Sequence, residues 1–143
     1  MLKIQNTVLR EVFNHAESTY PNECCGLLIG AMNGDTRTVH VSRRCKNLNT
    51  ERAHDRYEMD PLDQLRAESE FRDTAYEIVG FYHSHPDHPS RPSQTDTNAA
   101  HSFYSYVIVS VQKGIVASVN SWVLNETERK FYEEPLVEEG EVK

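Results

Sequence analysis

Two histidines and one aspartate stand at a spacing that suits a three-ligand zinc site. His83 and His85 are two positions apart at the end of the apolar run Tyr76–Tyr82, which predicts a buried β-strand. Alternate side chains of a strand point to the same face, so both imidazoles can converge on one ion. Asp96 follows a proline-containing loop and can return a carboxylate to the same point. Two nitrogens and one oxygen leave the fourth tetrahedral position for water, which is typical of a catalytic zinc.

The segment Ser93–Asp96 has a second interpretation as the start of a helix. It matches a capping box, in which the serine hydroxyl and the acidic side chain each accept a backbone N–H. The two roles are compatible, because the carboxylate can face a metal while the serine holds the turn. Ser93 can also hydrogen-bond a developing oxyanion if its hydroxyl points into the site.

Hydrolysis by a metal-activated water needs a further carboxylate, which accepts the proton of the water and passes it to the leaving amine. Glu23, at the entry to an apolar strand, is a candidate for this role. The pattern alone does not single it out among the 22 acidic residues of the chain.

Periodicity indicates the elements that must position these residues. Apolar residues recur at helical spacing over residues 4–19, and Asp60-Pro61 is typical of a helix start. Strands are predicted over residues 24–30, 36–47, 76–83, 104–111, 115–123 and 130–133, and a short helix over 93–101. This order predicts a three-layer α/β domain, in which a mixed β-sheet is flanked by helices.

Composition limits the function classes. The 143 residues predict one domain over residues 1–135, followed by an acidic, frayed tail over 136–143. A net charge of −7 argues against a nucleic-acid partner, and the absence of a long apolar run argues against a membrane span. An odd number of cysteines, 3, and an N-terminus without an apolar signal region favour a reducing, cytoplasmic location.

The spaced motifs together resemble the JAMM signature of MPN+ zinc metalloproteases, in the same order along the chain. Its parts are Glu23, His83-x-His85-Pro86 and Ser93-x-x-Asp96. The stretch Pro21–Gly30 further resembles the first strand of the compact bacterial members, and the likeness extends over about residues 4–132. The fold of that family, a curved sheet between helices that is related to cytidine deaminases, agrees with the predicted order of elements.

The resemblance implies a role for each part. His83, His85 and Asp96 would bind one zinc ion. Glu23 would be the general acid/base, and Ser93 would stabilise the tetrahedral intermediate. The implied activity is that of a peptidase or isopeptidase that cuts after the C-terminal Gly-Gly of a ubiquitin-like or sulfur-carrier protein. Iron or manganese in the same ligands stays open, as does the oligomeric state, including a homodimer.

Three alternatives compete with this interpretation. A catalytically silent, MPN-like binding scaffold usually lacks one or more of the ligands, and here all are present. The stretch His83-Ser-His-Pro-Asp-His88 also matches the first metal motif of metallo-β-lactamase-like hydrolases, but only His101 follows it, where further histidines are needed. A nucleobase deaminase needs a cysteine pair with H-x-E, and adjacent Cys24-Cys25 is too tight for that site.

Overall fold

The computed structural model describes residues 1–140, which form an eight-stranded mixed sheet with three helices. The strands are β1 (Leu2–Gln5), β2 (Cys25–Asn33), β3 (Thr36–Cys45), β4 (Glu77–Pro86), β5 (Ser105–Gln112), β6 (Ile115–Asn125), β7 (Lys130–Glu134) and β8 (Leu136–Glu139). The helices are α1 (Asn6–Thr19), α2 (Pro61–Phe71) and α3 (Gln94–Ala99). The strand order is β7-β6-β5-β4-β2-β3-β1-β8. Strand β1 runs parallel to β3 and β8, β4 runs parallel to β5, and the other neighbours are antiparallel.

Helices cover both faces of the sheet, which confirms the predicted three-layer α/β class. Val12 of α1 packs into one core with Leu28 of β2. Leu27, the preceding residue of β2, packs on the opposite face with Ala67 of α2. Consecutive strand residues point to opposite faces, so β2 supplies apolar side chains to both cores. None of the helices within residues 1–140 has the length and apolarity of a membrane span.

The N-terminus corrects the predicted helix over residues 4–19. Leu2–Gln5 forms strand β1, and helix α1 begins only at Asn6. Leu2 and Ile4 are fully buried, whereas the residues between and after them are partly exposed. A two-residue period over four positions is too short to be separated from a helical pattern that continues beyond it.

The predicted frayed tail over residues 136–143 is wrong over its first part. Leu136–Glu139 forms strand β8, which pairs in parallel with β1, and Leu136 packs against the core. The acidic composition of residues 136–143 argued against a strand. The strand that pairs with β8 is β1, at the other end of the chain, and a local sequence pattern does not reveal such a distant partner. Residues 141–143 lie outside the described part of the chain.

Strand β4 lies in the middle of the sheet, between β2 and β5, and is longer than predicted because its pairing with β5 continues to Pro86. Tyr82 points towards α1, where its hydroxyl lies 2.7 Å from Nδ1 of His15. Its ring needs the glycine at position 26, since a Cβ there would lie 2.2 Å from two ring atoms. His83, the next residue, therefore points to the opposite face, towards α2 and α3.

Candidate metal centre

The structure brings His83, His85 and Asp96 together at the end of β4. The Nε2 atoms of the two histidines are 3.1 Å apart, and Oδ2 of Asp96 lies 3.2 Å from each of them. Ligand atoms around a tetrahedral zinc with bonds of about 2.0–2.1 Å are separated by roughly 3.3–3.4 Å. The triangle of two nitrogens and one oxygen therefore has the size and the chemistry of three zinc ligands.

The surroundings of His85 favour metal binding through its Nε2 atom, and those of His83 hold its ring in place. Nδ1 of His85 lies 2.8 Å from the carbonyl oxygen of Pro89, which can only accept, so the proton sits on Nδ1 and the lone pair on Nε2. Such a carbonyl contact behind a histidine ligand fixes its tautomer and its ring orientation. The ring of Tyr57 stacks on His83 at a centroid distance of 4.6 Å and an interplanar angle of 28°. His83 is 1% exposed, and its Nδ1 atom has no hydrogen-bond partner within residues 1–140.

Both interpretations of Ser93–Asp96 agree with the geometry. The N–H of Ser93 donates to Oδ2 of Asp96 at 2.9 Å, and the N–H of Asp96 donates to Oγ of Ser93 at 3.1 Å, which forms a capping box at the start of α3. The side chain of Asp96 is only 10% exposed, whereas Ser93 is exposed and lines the cleft beside the two histidines. Within residues 1–140 the Ser93 hydroxyl donates to no protein atom, so its hydrogen is available to a ligand in the cleft.

Glu23 lies two residues before the start of β2 and is 6% exposed. One of its carboxylate oxygens lies within 4.8 Å of a ring nitrogen of His83 and of His85. By distance alone, the carboxylate of Glu23 is therefore near enough to bind the same ion as that of Asp96. Asp96 is the nearer of the two, at 3.2 Å from both imidazoles. Glu23 thus occupies the position expected of a base beside three ligands.

Comparisons with known proteins identify the family of this chain. A family model described as "Prokaryotic homologs of the JAB domain" matches residues 5–125. This chain belongs to the prokaryotic JAB family. The resemblance to the compact bacterial branch of the JAMM/MPN proteins is thereby confirmed, and the metallo-β-lactamase alternative is wrong.

Relatives of this JAB domain include named peptidases. It is 33% identical over 107 residues to a desampylase from Haloferax volcanii, which covers 74% of this chain and 75% of that protein. It is 30% identical over 113 residues to the CysO-cysteine peptidase of Mycobacterium tuberculosis, which covers 78% of this chain and 75% of that protein. The solution structure of protein DSY2949 from Desulfitobacterium hafniense superposes with a TM-score of 0.86 at 30% identity, over 100% of this chain and 96% of that one.

The two carboxylates of the JAB site differ in protonation for physical reasons. Burial raises the pKa of Glu23 to about 8. Burial also acts to raise the pKa of Asp96, but the adjacent imidazoles of His83 and His85 and the N–H of Ser93 outweigh it and hold that pKa well below its ordinary value. Near neutral pH, Glu23 can therefore hold or release a proton, whereas Asp96 stays charged as a ligand must.

A cleft with a volume of about 300 Å³ opens beside the metal centre of the JAB domain. Its lining includes Arg56 and Tyr57 of the β3–α2 loop, Phe81 of β4, and Ser93 and Ala99 at the two ends of α3. Phe81 is on the same face of β4 as His83, so the cleft lies on the face of the sheet that carries the candidate metal centre.

Sequence reasoning missed Tyr57, whose ring stacks on His83, and Asn47, which binds the backbone of Glu23. Both lie in the β3–α2 loop. No helix or strand was predicted around Tyr57, whereas the strand predicted over 36–47 wrongly included Asn47, because β3 ends at Cys45. The only local signal was one aromatic residue, Tyr57, in a stretch that otherwise lacks them. His88 and His101 do not join the metal triangle; His101 lines the cleft, and His88 is exposed.

Proposed function

We propose that this JAB domain is a zinc-dependent metallopeptidase or isopeptidase. Its substrate is an amide bond after the C-terminal Gly-Gly of a ubiquitin-like or sulfur-carrier protein. The observation that carries the proposal is the triangle of His83, His85 and Asp96 with the buried Glu23 beside it. The relatives named desampylase and CysO-cysteine peptidase support this reaction class.

The residues of the site supply the parts that amide hydrolysis needs. Zinc held by His83, His85 and Asp96 would lower the pKa of a water molecule and polarise the substrate carbonyl. Glu23 takes up a proton on its carboxylate and returns it to the leaving amine, a task suited to a pKa of about 8. The free hydroxyl hydrogen of Ser93 donates to the substrate carbonyl oxygen as negative charge develops there.

The cleft supports a slender substrate. Its volume of about 300 Å³ is at the small end of ligand pockets, so an extended tail of small residues fits better than a bulky one. Phe81 and Tyr106 line it with aromatic rings, against which a backbone without side chains can lie flat.

A catalytically silent scaffold is the alternative from another function class. The complete ligand set argues against it, since a scaffold has no need to keep Glu23 buried beside two imidazoles at the desolvation cost that raises its pKa.

Cys24, Cys25 and Cys45 are buried and unpaired, which supports the proposed cytoplasmic, reducing location.

Incubation of the zinc-loaded protein with sulfur-carrier conjugates, read by intact mass, tests the proposal. We expect release of the carrier with its terminal Gly-Gly intact. A conjugate in which the last glycine is replaced by valine is the matched control and should resist cleavage. Stoichiometric zinc without cleavage of any Gly-Gly conjugate would favour the scaffold instead.

A further inference from the structure

The backbone of Glu23 is held by the β3–α2 loop, residues 46–60. The N–H of Glu23 donates to the carbonyl of Ala53 at 2.6 Å. The carbonyl of Glu23 accepts from Nδ2 of Asn47 at 3.3 Å. Because the direction of a side chain follows the placement of its backbone, the loop sets where the Glu23 carboxylate points.

Asn47 uses its whole amide to hold this loop in shape. Besides Glu23, its Nδ2 donates to the carbonyl of Arg56 at 3.1 Å. Its Oδ1 accepts the backbone N–H groups of Asn49 at 2.9 Å and Glu58 at 3.0 Å. Both N–H groups and both acceptor positions of the amide are therefore occupied.

Two of the three loop residues that Asn47 binds, Arg56 and Glu58, stand on either side of Tyr57. The ring of Tyr57 is the one that stacks on His83 at 4.6 Å. Asn47 therefore fixes the backbone before and after the aromatic ring that covers a metal-site histidine. The side chain of Asn47 thus connects the backbone of Glu23 with the loop segment that carries Tyr57.

Other contacts of the loop do not replace this one. Its ends are tied by the N–H of Lys46 to Oδ2 of Asp63 at 2.8 Å and by the N–H of Asp60 to the carbonyl of Lys46 at 3.2 Å. The ion pair between Arg52 and Asp55 joins two residues of the loop to each other. Within residues 1–140, residues 48–58 make one direct hydrogen bond to the protein outside the β3–α2 loop, from Glu23 to Ala53, and one ring contact, from Tyr57 to His83.

We propose that Asn47 is a positioning residue for the reaction. Its amide fastens the β3–α2 loop so that the carboxylate of Glu23 and the ring of Tyr57 keep their places at the metal centre. Asn47 contacts neither the three ligand atoms nor the cleft. The catalytic part of this inference rests on the proposed function, whereas the fastening of the loop does not.

The variants Asn47→Asp and Asn47→Ala test the proposal, and Asn49→Ala serves as their control. Aspartate keeps the shape and the two acceptor contacts but lacks the Nδ2 donors, and it remains usable if the alanine variant fails to fold. Asn49 is the matched control, because its Oδ1 accepts only the N–H of Arg52, at 2.9 Å inside the loop. Hydrogen–deuterium exchange, zinc content, the absorption spectrum of the cobalt-substituted protein, kcat and KM are measured for each.

For both Asn47 variants we expect amide exchange in residues 50–59 to accelerate about 10-fold or more, with exchange in residues 81–86 unchanged. Zinc content and the cobalt spectrum should match the wild type. Displacement of a catalytic group by a fraction of an ångström to 1 Å lowers kcat by roughly 10- to 100-fold, while KM should stay within about threefold. Asn49→Ala should keep the kcat of the wild type.

Unchanged exchange in residues 50–59 of both Asn47 variants would overturn the fastening role, whether or not the protein cleaves any conjugate. Faster exchange with an unchanged kcat would overturn the positioning of Glu23. A wild type that cleaves no conjugate while its Asn47 variants loosen the loop would contradict the proposed function and leave the fastening role supported.

Discussion

The Oδ2 atom of Asp96 lies 3.2 Å from the Nε2 atom of His83, where the start of α3 meets the end of β4. The same oxygen accepts the backbone N–H of Ser93 at 2.9 Å. The capping box that begins α3 therefore also aims the carboxylate at the two imidazoles. The helix cap and the proposed metal ligand share one atom, so substitutions can separate the two roles.

We expect His83→Ala and Asp96→Asn to lose stoichiometric zinc. The alanine removes one corner of the triangle. The asparagine keeps an acceptor for the N–H of Ser93 and so preserves the cap, but it removes the charge that binds a cation. Zinc per chain after dialysis, measured by elemental mass spectrometry, checks both. His101→Ala, in the cleft but outside the triangle, should keep full zinc; full zinc in His83→Ala would break the ligand assignment.

We expect Glu23→Gln to keep its zinc and to lose turnover by a factor of at least about 100, the usual contribution of a general acid/base. The amide has nearly the same shape as the carboxylate but cannot take up the proton. Cleavage rates of a Gly-Gly conjugate at equal zinc loading measure the effect. Glu51→Gln, an exposed acid of the neighbouring loop, is the control. Equal rates in Glu23→Gln and wild type would remove Glu23 from the mechanism.

The stability of the metal-free protein should depend on pH through Glu23. Burial raises the pKa of Glu23 from 4.5 to about 8, so the folded chain keeps a proton that the unfolded chain releases. The stabilisation from this proton is complete below pH 4.5 and is lost as the pH rises through about 8. The melting temperature of metal-free Glu23→Gln, measured relative to that of the wild type in chelator, should therefore rise between pH 5 and about pH 8 and level off above that pH. A difference that stays constant with pH would contradict the raised pKa.

We expect Tyr82→Phe to lower the free energy of unfolding by about 1–3 kcal/mol, because it leaves the buried His15 ring without its hydroxyl partner. Urea unfolding measures this change. Zinc content should not change, since Tyr82 and His83 point to opposite faces of the sheet. Tyr132→Phe is the surface control, as that tyrosine is 44% exposed. Zinc loss in Tyr82→Phe would show that the two faces are coupled.

Elements with a complete local signal were predicted well. Helix α2 begins where Asp60-Pro61 predicted it, and Oδ1 of Asp60 accepts the N–H of Leu62 at 3.0 Å as an N-cap does. Strand β4 is where its apolar run indicated. Strands β1 and β8 were missed because each is only four residues long and is stabilised by a partner that is distant in sequence.

The sequence by itself determined that His83 and His85 face one side of a strand and that Ser93 and Asp96 begin a helix, because both properties follow from the period of a single element. Only the tertiary structure decided that Glu23, which precedes another strand, lies within reach of those histidines. It also decided that Tyr57 of the β3–α2 loop stacks on His83 and that Asn47 of the same loop binds the backbone of Glu23. Such proximity arises from how the chain folds back on itself, and the spacing of residues along the sequence does not predict it.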